Sequence, residues 1–277
     1  MCSSDLRLND AIVTGLCRSY GVKSVGMQTR AIYNFKYEDC FDCFDHYLSW
    51  GPTWHAAFPQ RMQFIERTDY IGCIFLDTLL SRLRREKNSE PLEQEISELI
   101  VAIFPASLEY KHHYTKGYAV RFLVSCAHLA AKYPHVHFFL KMKQPKDLNP
   151  LLGNTEFKRA FSQIKGNLTF VEAPQYEYTK LMQMSDIVIA QGFTTPGAEA
   201  LMMGKRAIFY SEMPCGGQPY WHLPNLIANN PEELEDIFEL SLQDYKSYCS
   251  ANIKHIDALD PHRDGQTRQR LVAFLDR

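Results

Sequence analysis

LMQMSDIVIAQGFTTPGAEALMMGKRAIFY, residues 181–210, decides how the rest of the chain is read. It holds a helix end, a buried strand, a turn, a second helix and another buried strand. Asp186-Ile187-Val188-Ile189-Ala190 is a β-branched apolar run without alternation, as a parallel strand covered on both faces requires. Gln191-Gly192-Phe193 turns the chain. Thr194 or Thr195 suits the N-cap of the next helix, Pro196 its first turn, and Glu199 lies one turn in. Gly204 closes that helix and Arg206 to Tyr210 begins the next strand.

A helix that starts just beyond the carboxyl end of a parallel strand presents unpaired N–H groups and a partial positive charge, which suit a phosphate. The hydroxyls of Thr194 and Thr195 can donate to phosphate oxygens, and Glu199 can reach hydroxyls on a ribose or hexose. The same residue types also serve as an ordinary cap with a carboxylate near the helix's positive end, and spacing alone leaves both uses open.

Ser185-Asp186, Thr194-Thr195, Glu199-Ala200-Leu201 and Gly204-Lys205 together resemble the donor-binding segment in the second domain of GT-B glycosyltransferases, especially those that build surface polysaccharides. Nucleotide-sugar 2-epimerases and glycerophosphotransferases of the same fold share much of this pattern. The resemblance implies a nucleotide-diphosphate-sugar as substrate and a glycan or lipid-linked acceptor. It implies no cofactor and no metal, the leaving diphosphate being stabilised electrostatically. A non-catalytic nucleotide-sugar-binding relative is the competing reading, with a GT-B-like epimerase or glycerophosphotransferase as a third.

Working outward, 98–105 reads as a strand, 117–133 as an amphipathic helix, 136–140 as a strand, 155–164 as a helix, 167–172 as a strand and 176–184 as a short helix. This alternation predicts a Rossmann-like, doubly wound parallel α/β sheet with its ligand crevice beyond the carboxyl strand ends. Ser107, Lys141, Lys143, Ala173-Pro174, Thr194 and Thr195 would gather there. Lys141-Met-Lys143 stands where the resembling enzymes carry a K-x-H-P stretch, with Lys143 in place of the histidine, and lysine keeps the electrostatic part of that role. The polar loop through Lys111, His112 and His113 follows the first of these strands.

Upstream, a helix at 8–20 and a strand at 22–27 lead to Gln28, the first residue of a Gln-His-Gly turn in the relatives; Thr29 and Arg30 replace the other two. Asp45 to Gly51 resembles their D-x-x-x-x-W-G segment, and Asp260-Pro261 through Asp264-Gly265 their D-P-x-x-D-G element ahead of a closing helix. No catalytic base stands out; His112, His113, Asp45 and His46 are the candidates. The reading divides the chain into 1–94, a partial acceptor-side region and inter-domain passage, and 95–277, a donor-binding domain with the closing helix. With so short a first region, the chain is expected to bind donor yet to be a weak or inactive transferase by itself.

Of the 277 residues 45% are apolar, ample for sizeable cores, and a net charge of −2 argues against nucleic acid as partner. Local basic patches leave peripheral membrane association open. The eight cysteines are mostly isolated and read as reduced thiols of a cytoplasmic protein; only Cys40-x-x-Cys43 has metal-ligand spacing, and it lacks a second pair. No signal-peptide pattern is present, and no apolar run approaches the ~18 residues of a membrane span.

Overall fold

The computed structural model describes residues 8–28, 31, 43–56, 65–88, 99–106, 115–143, 148–171, 178–212, 223, 225–243 and 255–276. In chain order the elements begin with α1 (Leu8–Ser19), β1 (Val25–Met27), β2 (His46–Ser49), α2 (Pro52–Ala56), β3 (Arg67–Tyr70) and α3 (Ile74–Asn88). They continue with β4 (Leu99–Phe104), α4 (Lys116–Lys132), β5 (Val136–Leu140), α5 (Thr155–Phe161), β6 (Leu168–Phe170), α6 (Tyr178–Met184) and β7 (Ile187–Gln191). The last are α7 (Thr195–Met202), β8 (Arg206–Tyr210), β9 (Ile227–Ala228), α8 (Pro231–Gln243) and α9 (Thr267–Leu275). Contacts group the chain into two units, one from residues 1–84, 215–222 and 252–277, the other from 85–214 and 223–251.

The second unit is a parallel sheet in the order β6-β5-β4-β7-β8-β9, the doubly wound arrangement that the alternation predicts. Its central strands are apolar along their length because both faces are covered: all five residues of β7 are buried, as are Ile100 to Phe104 of β4. Asn167 locks the entry to β6, its side-chain amide donating to the carbonyls of Ala130, Tyr133 and Val136 at 2.9, 3.0 and 2.9 Å.

Two of the family-like pairs have architectural work at the amino end of this sheet. The Asp186 carboxylate accepts from the Ile100 N–H at 2.9 Å, fixing β7 against the start of β4. The Lys205 ammonium donates to the carbonyls of Gln183 and Ser185 at 2.9 and 2.5 Å, closing the end of α6. Burial lowers the Lys205 pKa, with the Asp186 charge opposing that effect. Ser185-Asp186 and Lys205 therefore tie elements together at the end of the sheet remote from the carboxyl strand ends.

Helix α7 lies hard against β7 and β8 because residue 197 is glycine. A Cβ added there would stand 2.3 Å from Phe209 Cε1 and 3.0 Å from the Ala190 Cβ, and Phe209 is fully buried. Gly197→Ala is expected to cost about 1–3 kcal/mol by overpacking. Chemical denaturation should show a lower midpoint at unchanged slope.

The first unit carries a parallel sheet β1-β2-β3. Gln28 fastens it: its Oε1 accepts from Ser49 Oγ and the Trp50 N–H, while its carbonyl accepts from Trp50 Nε1 at 2.9 Å. The Trp50 ring meets Trp54 edge-on at 5.4 Å, and Trp54 Nε1 donates to the Leu259 carbonyl at 2.8 Å. The Asp260 carboxylate, itself buried, accepts from the N–H groups of Cys73, His262 and Arg263. Asp77 accepts from Thr267 Oγ1 and the Arg268 N–H. The sequence division assigned the closing stretch to residues 95–277, whereas these bonds group 252–277 with the first unit.

Candidate functional site

The chain leaves β4 toward β5 on one side and leaves β7 toward β8 on the other, so the winding reverses between β4 and β7. At such a switch point the connecting loops separate beyond the strand ends, and open α/β sheets bind ligands there. Gln191, the last residue of β7, spans the two strands: its Oε1 accepts from the Ala106 N–H, just past β4, at 3.1 Å. An N–H donor on that side fixes the amide orientation, so Nε2 points elsewhere. Gln191 is 0% exposed, and Nε2 has no hydrogen-bond partner among the described residues.

Gly192 has φ of 61°, the left-handed turn that glycine allows, and its N–H donates to the Tyr210 carbonyl at 2.7 Å. Phe193 is fully buried and stacks on Phe209 at 5.6 Å, anchoring the turn from below. Thr194 is the N-cap by backbone geometry, with φ −77° and ψ 155°, yet its side chain makes no capping bond. Its Oγ1 is buried without a partner among the described residues. The ordinary use of a threonine here is therefore not the one this hydroxyl fulfils. Two polar groups, Gln191 Nε2 and Thr194 Oγ1, stand unsatisfied within one turn of chain at the switch point, where burial without a partner costs about 1–3 kcal/mol each.

Thr195 opens α7, and Glu199 follows one turn on, 2% exposed. Helical side chains lean toward the N-terminus, so the carboxylate overlies the first turn. Tyr178, at the start of α6, donates its phenolic hydrogen to Glu199 Oε2. The Tyr178 ring in turn packs edge-on against Phe104, the last residue of β4, at 5.4 Å. Burial raises the Glu199 pKa to about 7, and the Tyr178 bond partly offsets the rise. The carboxyl end of β4, the start of α6 and the first turns of α7 thus share one set of contacts.

Lys141 and Lys143 follow β5, which neighbours β4; the Lys141 N–H donates to the Ile103 carbonyl at 3.0 Å. Lys141 is half-buried and Lys143 exposed. Ser107, Lys111, His112, His113, Ala173 and Pro174 lie outside the described residues.

Asp45 and His46 belong to the first unit. Asp45 is 1% exposed, and its carboxylate accepts from the Ser24 N–H and Oγ, both at 2.7 Å, and from Arg18 Nε at 2.9 Å. Burial by itself would raise its pKa, but these bonds and the Arg18 charge prevail and hold it at about 2. A carboxylate so stabilised is a poor proton acceptor, and Asp45 is withdrawn as a candidate base in favour of a structural role. His46 sits on β2 with its ring 5.7 Å from Phe274, and its Nδ1 is buried without a partner among the described residues.

Gln191 and Tyr178 were not among the residues expected to form a site. The glutamine carried a legible signal, a polar residue ending an apolar strand. Tyr178 carried none, since helical spacing does not tell which neighbour a ring will meet. Among the described residues no group of three or more His, Cys, Asp or Glu side chains is arranged to hold a metal ion, and no helix is long and apolar enough to cross a membrane.

A family model described as polysaccharide biosynthesis PFTS motif protein matches residues 28–238. No curated protein matches the sequence. Among solved structures, the UDP-GlcNAc 2-epimerase of Neisseria meningitidis bound to UDP-GlcNAc superposes with a TM-score of 0.62 at 13% identity, over 95% of this chain and 72% of that one. The S. aureus MnaA–UDP structure gives 0.61 at 10% identity, over 92% of this chain and 69% of that one. The wall teichoic acid polymerase TagF, soaked with CDPG, gives 0.52 at 15% identity over 84% of this chain. The chain spans 56% of that polymerase, and at these identities the likeness is one of fold, the GT-B arrangement.

Proposed function

This chain belongs to the polysaccharide biosynthesis PFTS motif family, and on that premise we propose that it binds a nucleotide-diphosphate-sugar at the β4/β7 switch point for transfer to a surface-glycan or lipid-linked acceptor. The observation that carries the reading is the buried Thr194 hydroxyl at the N-terminus of α7 and, within the same turn of chain, the Gln191 Nε2, neither of which has a hydrogen-bond partner among the described residues. Both are donors, and a diphosphate is rich in acceptors.

In the transfer, the bond between the sugar's anomeric carbon and the diphosphate oxygen breaks as the acceptor oxygen bonds to that carbon and gives up its proton. Charge develops on the departing diphosphate. The α7 N-terminus, Thr194, Thr195, Lys141 and Lys143 answer it with fixed donors and cations. Glu199 takes hydroxyls of the donor. The base that receives the acceptor proton is drawn from His112 and His113, in the segment that follows β4. The reading rests on electrostatic stabilisation and needs no bound metal. The fold neighbours include a 2-epimerase bound to UDP-GlcNAc, which favours a second reading in which the same nucleotide-sugar is epimerised.

Calorimetric titration with UDP, GDP and CDP tests the shared step. At least one should bind, and Thr194→Val should weaken it about tenfold, the effect of one lost hydrogen bond to a charged group. The same substitution should leave the thermal midpoint of the ligand-free chain unchanged or raised, because the hydroxyl has no partner to lose. A fall in that midpoint with unaltered nucleotide affinity would return Thr194 to a capping role. Absence of binding by all three nucleotides at millimolar concentration would end the proposal.

A further inference from the structure

Glu199 faces two directions. Its Oε2 is taken by Tyr178, while Oε1 makes no hydrogen bond to any described residue, although the side chain is almost wholly buried. Tyr178 is itself held by the edge contact with Phe104, and the chain just past Phe104 is held to β7 through the Ala106 bond to Gln191. The carboxylate is thus referenced to the same strand ends as the unsatisfied Gln191 and Thr194 donors.

We propose that Tyr178 is a positioning residue: by occupying Oε2 it fixes the Glu199 carboxylate so that Oε1 accepts a hydroxyl of the ligand's sugar. This rests on the nucleotide-sugar reading and adds a residue that does not touch the ligand. An ionised carboxylate accepts a hydroxyl about twice as strongly as a neutral group does, so the charge state decides the affinity. Glu199 is exposed to that choice near neutrality because burial disfavours its charge. Among the described residues Tyr178, from α6, is the titratable group that acts on it. The strands beneath α7 present Ala190 of β7 and Phe209 of β8, neither of which ionises.

Tyr178→Phe keeps the ring against Phe104 and removes only the hydroxyl. Nucleoside diphosphate affinity, measured with whichever of UDP, GDP and CDP binds the wild-type chain, should fall about fivefold at pH 7 and return to the wild-type value by about pH 9. Its pH midpoint then moves up by about one unit, as loss of a bond to the charged form requires. Glu199→Gln should be weak at every pH. Inorganic pyrophosphate, which has the phosphates but no sugar, should bind wild type and Tyr178→Phe alike across the range. A loss equal at all pH values, or none, would overturn the assignment and leave Tyr178 a packing residue. If wild type bound pyrophosphate but no nucleoside diphosphate, or neither, the nucleotide-sugar reading would fail first and this assignment with it.

Discussion

Asp260→Ala is expected to destabilise the first unit by about 3 kcal/mol or more, the largest loss of stability foreseen for a single side chain here. Three backbone N–H groups converge on this carboxylate, from Cys73 at 2.9 Å, His262 at 2.9 Å and Arg263 at 3.1 Å. Cys73 is fully buried, so its donor would have no water to turn to. Nor can the turn relax toward another arrangement. Gly72 has φ of 89°, and a Cβ there would stand 2.9 Å from Thr267 Oγ1 and 3.1 Å from the Asp260 carboxylate. The backbone has therefore come as close to the carboxylate as glycine permits. Denaturant unfolding should show the loss, and hydrogen exchange should show it first at Cys73, His262 and Arg263. Asp260→Asn, which keeps one acceptor oxygen, should fall between wild type and alanine. An alanine variant within 1 kcal/mol of wild type would mean that water replaces the carboxylate at all three donors.

Most of the second unit was legible because a buried parallel strand writes itself as an unbroken apolar run, as Ile100 to Phe104 and Ile187 to Ala190 do. The first unit was legible only in part. β3 reads Arg67-Thr-Asp-Tyr, an edge strand without an apolar pattern, and its neighbour β2 was recognised by resemblance as a segment, not as a strand. The D-P-x-x-D-G element was visible, but its purpose is a bond across 187 residues of sequence, which no local pattern encodes. At the start of α7, the placement of Thr194 and Glu199 followed from a strand end meeting a helix start. The sequence could not tell that Thr194 leaves its capping bond unmade, nor that Tyr178 reaches Glu199 from α6. Asp45 shows the converse. A carboxylate in a family-like segment looked available for chemistry, while Arg18 and Ser24, far off in sequence, had already engaged it.

Glu199→Gln should separate stability from function: the ligand-free variant is expected to be more stable than wild type at pH 8, by up to about 3 kcal/mol, while losing nucleoside diphosphate binding. The sign follows from the two protonation equilibria. In the unfolded chain Glu199 titrates near its ordinary value of 4.5; in the folded chain burial raises this to about 7. Between those values the folded state holds a proton that the unfolded state has released, so stability falls as pH rises through the window, and the whole cost is present above about pH 7. This is opposite in sense to Asp45, whose depressed pKa contributes stability that is lost as pH falls toward about 2. A glutamine amide cannot ionise, and its oxygen still accepts from Tyr178, so the variant removes the slope without orphaning the phenol. Unfolding free energies of the two proteins at pH 5, 6, 7 and 8 should start close together and diverge. Parallel curves would show that the carboxylate is solvated well enough to ionise at no cost, and the reading of Glu199 as a strained acceptor would be lost. If the curves diverge while the glutamine variant binds nucleotide as wild type does, the burial is real but has no part in recognition. Divergence together with lost binding gives the buried charge its reason: an ionised carboxylate is unfavourable in the empty site and becomes favourable once a sugar hydroxyl donates to Oε1.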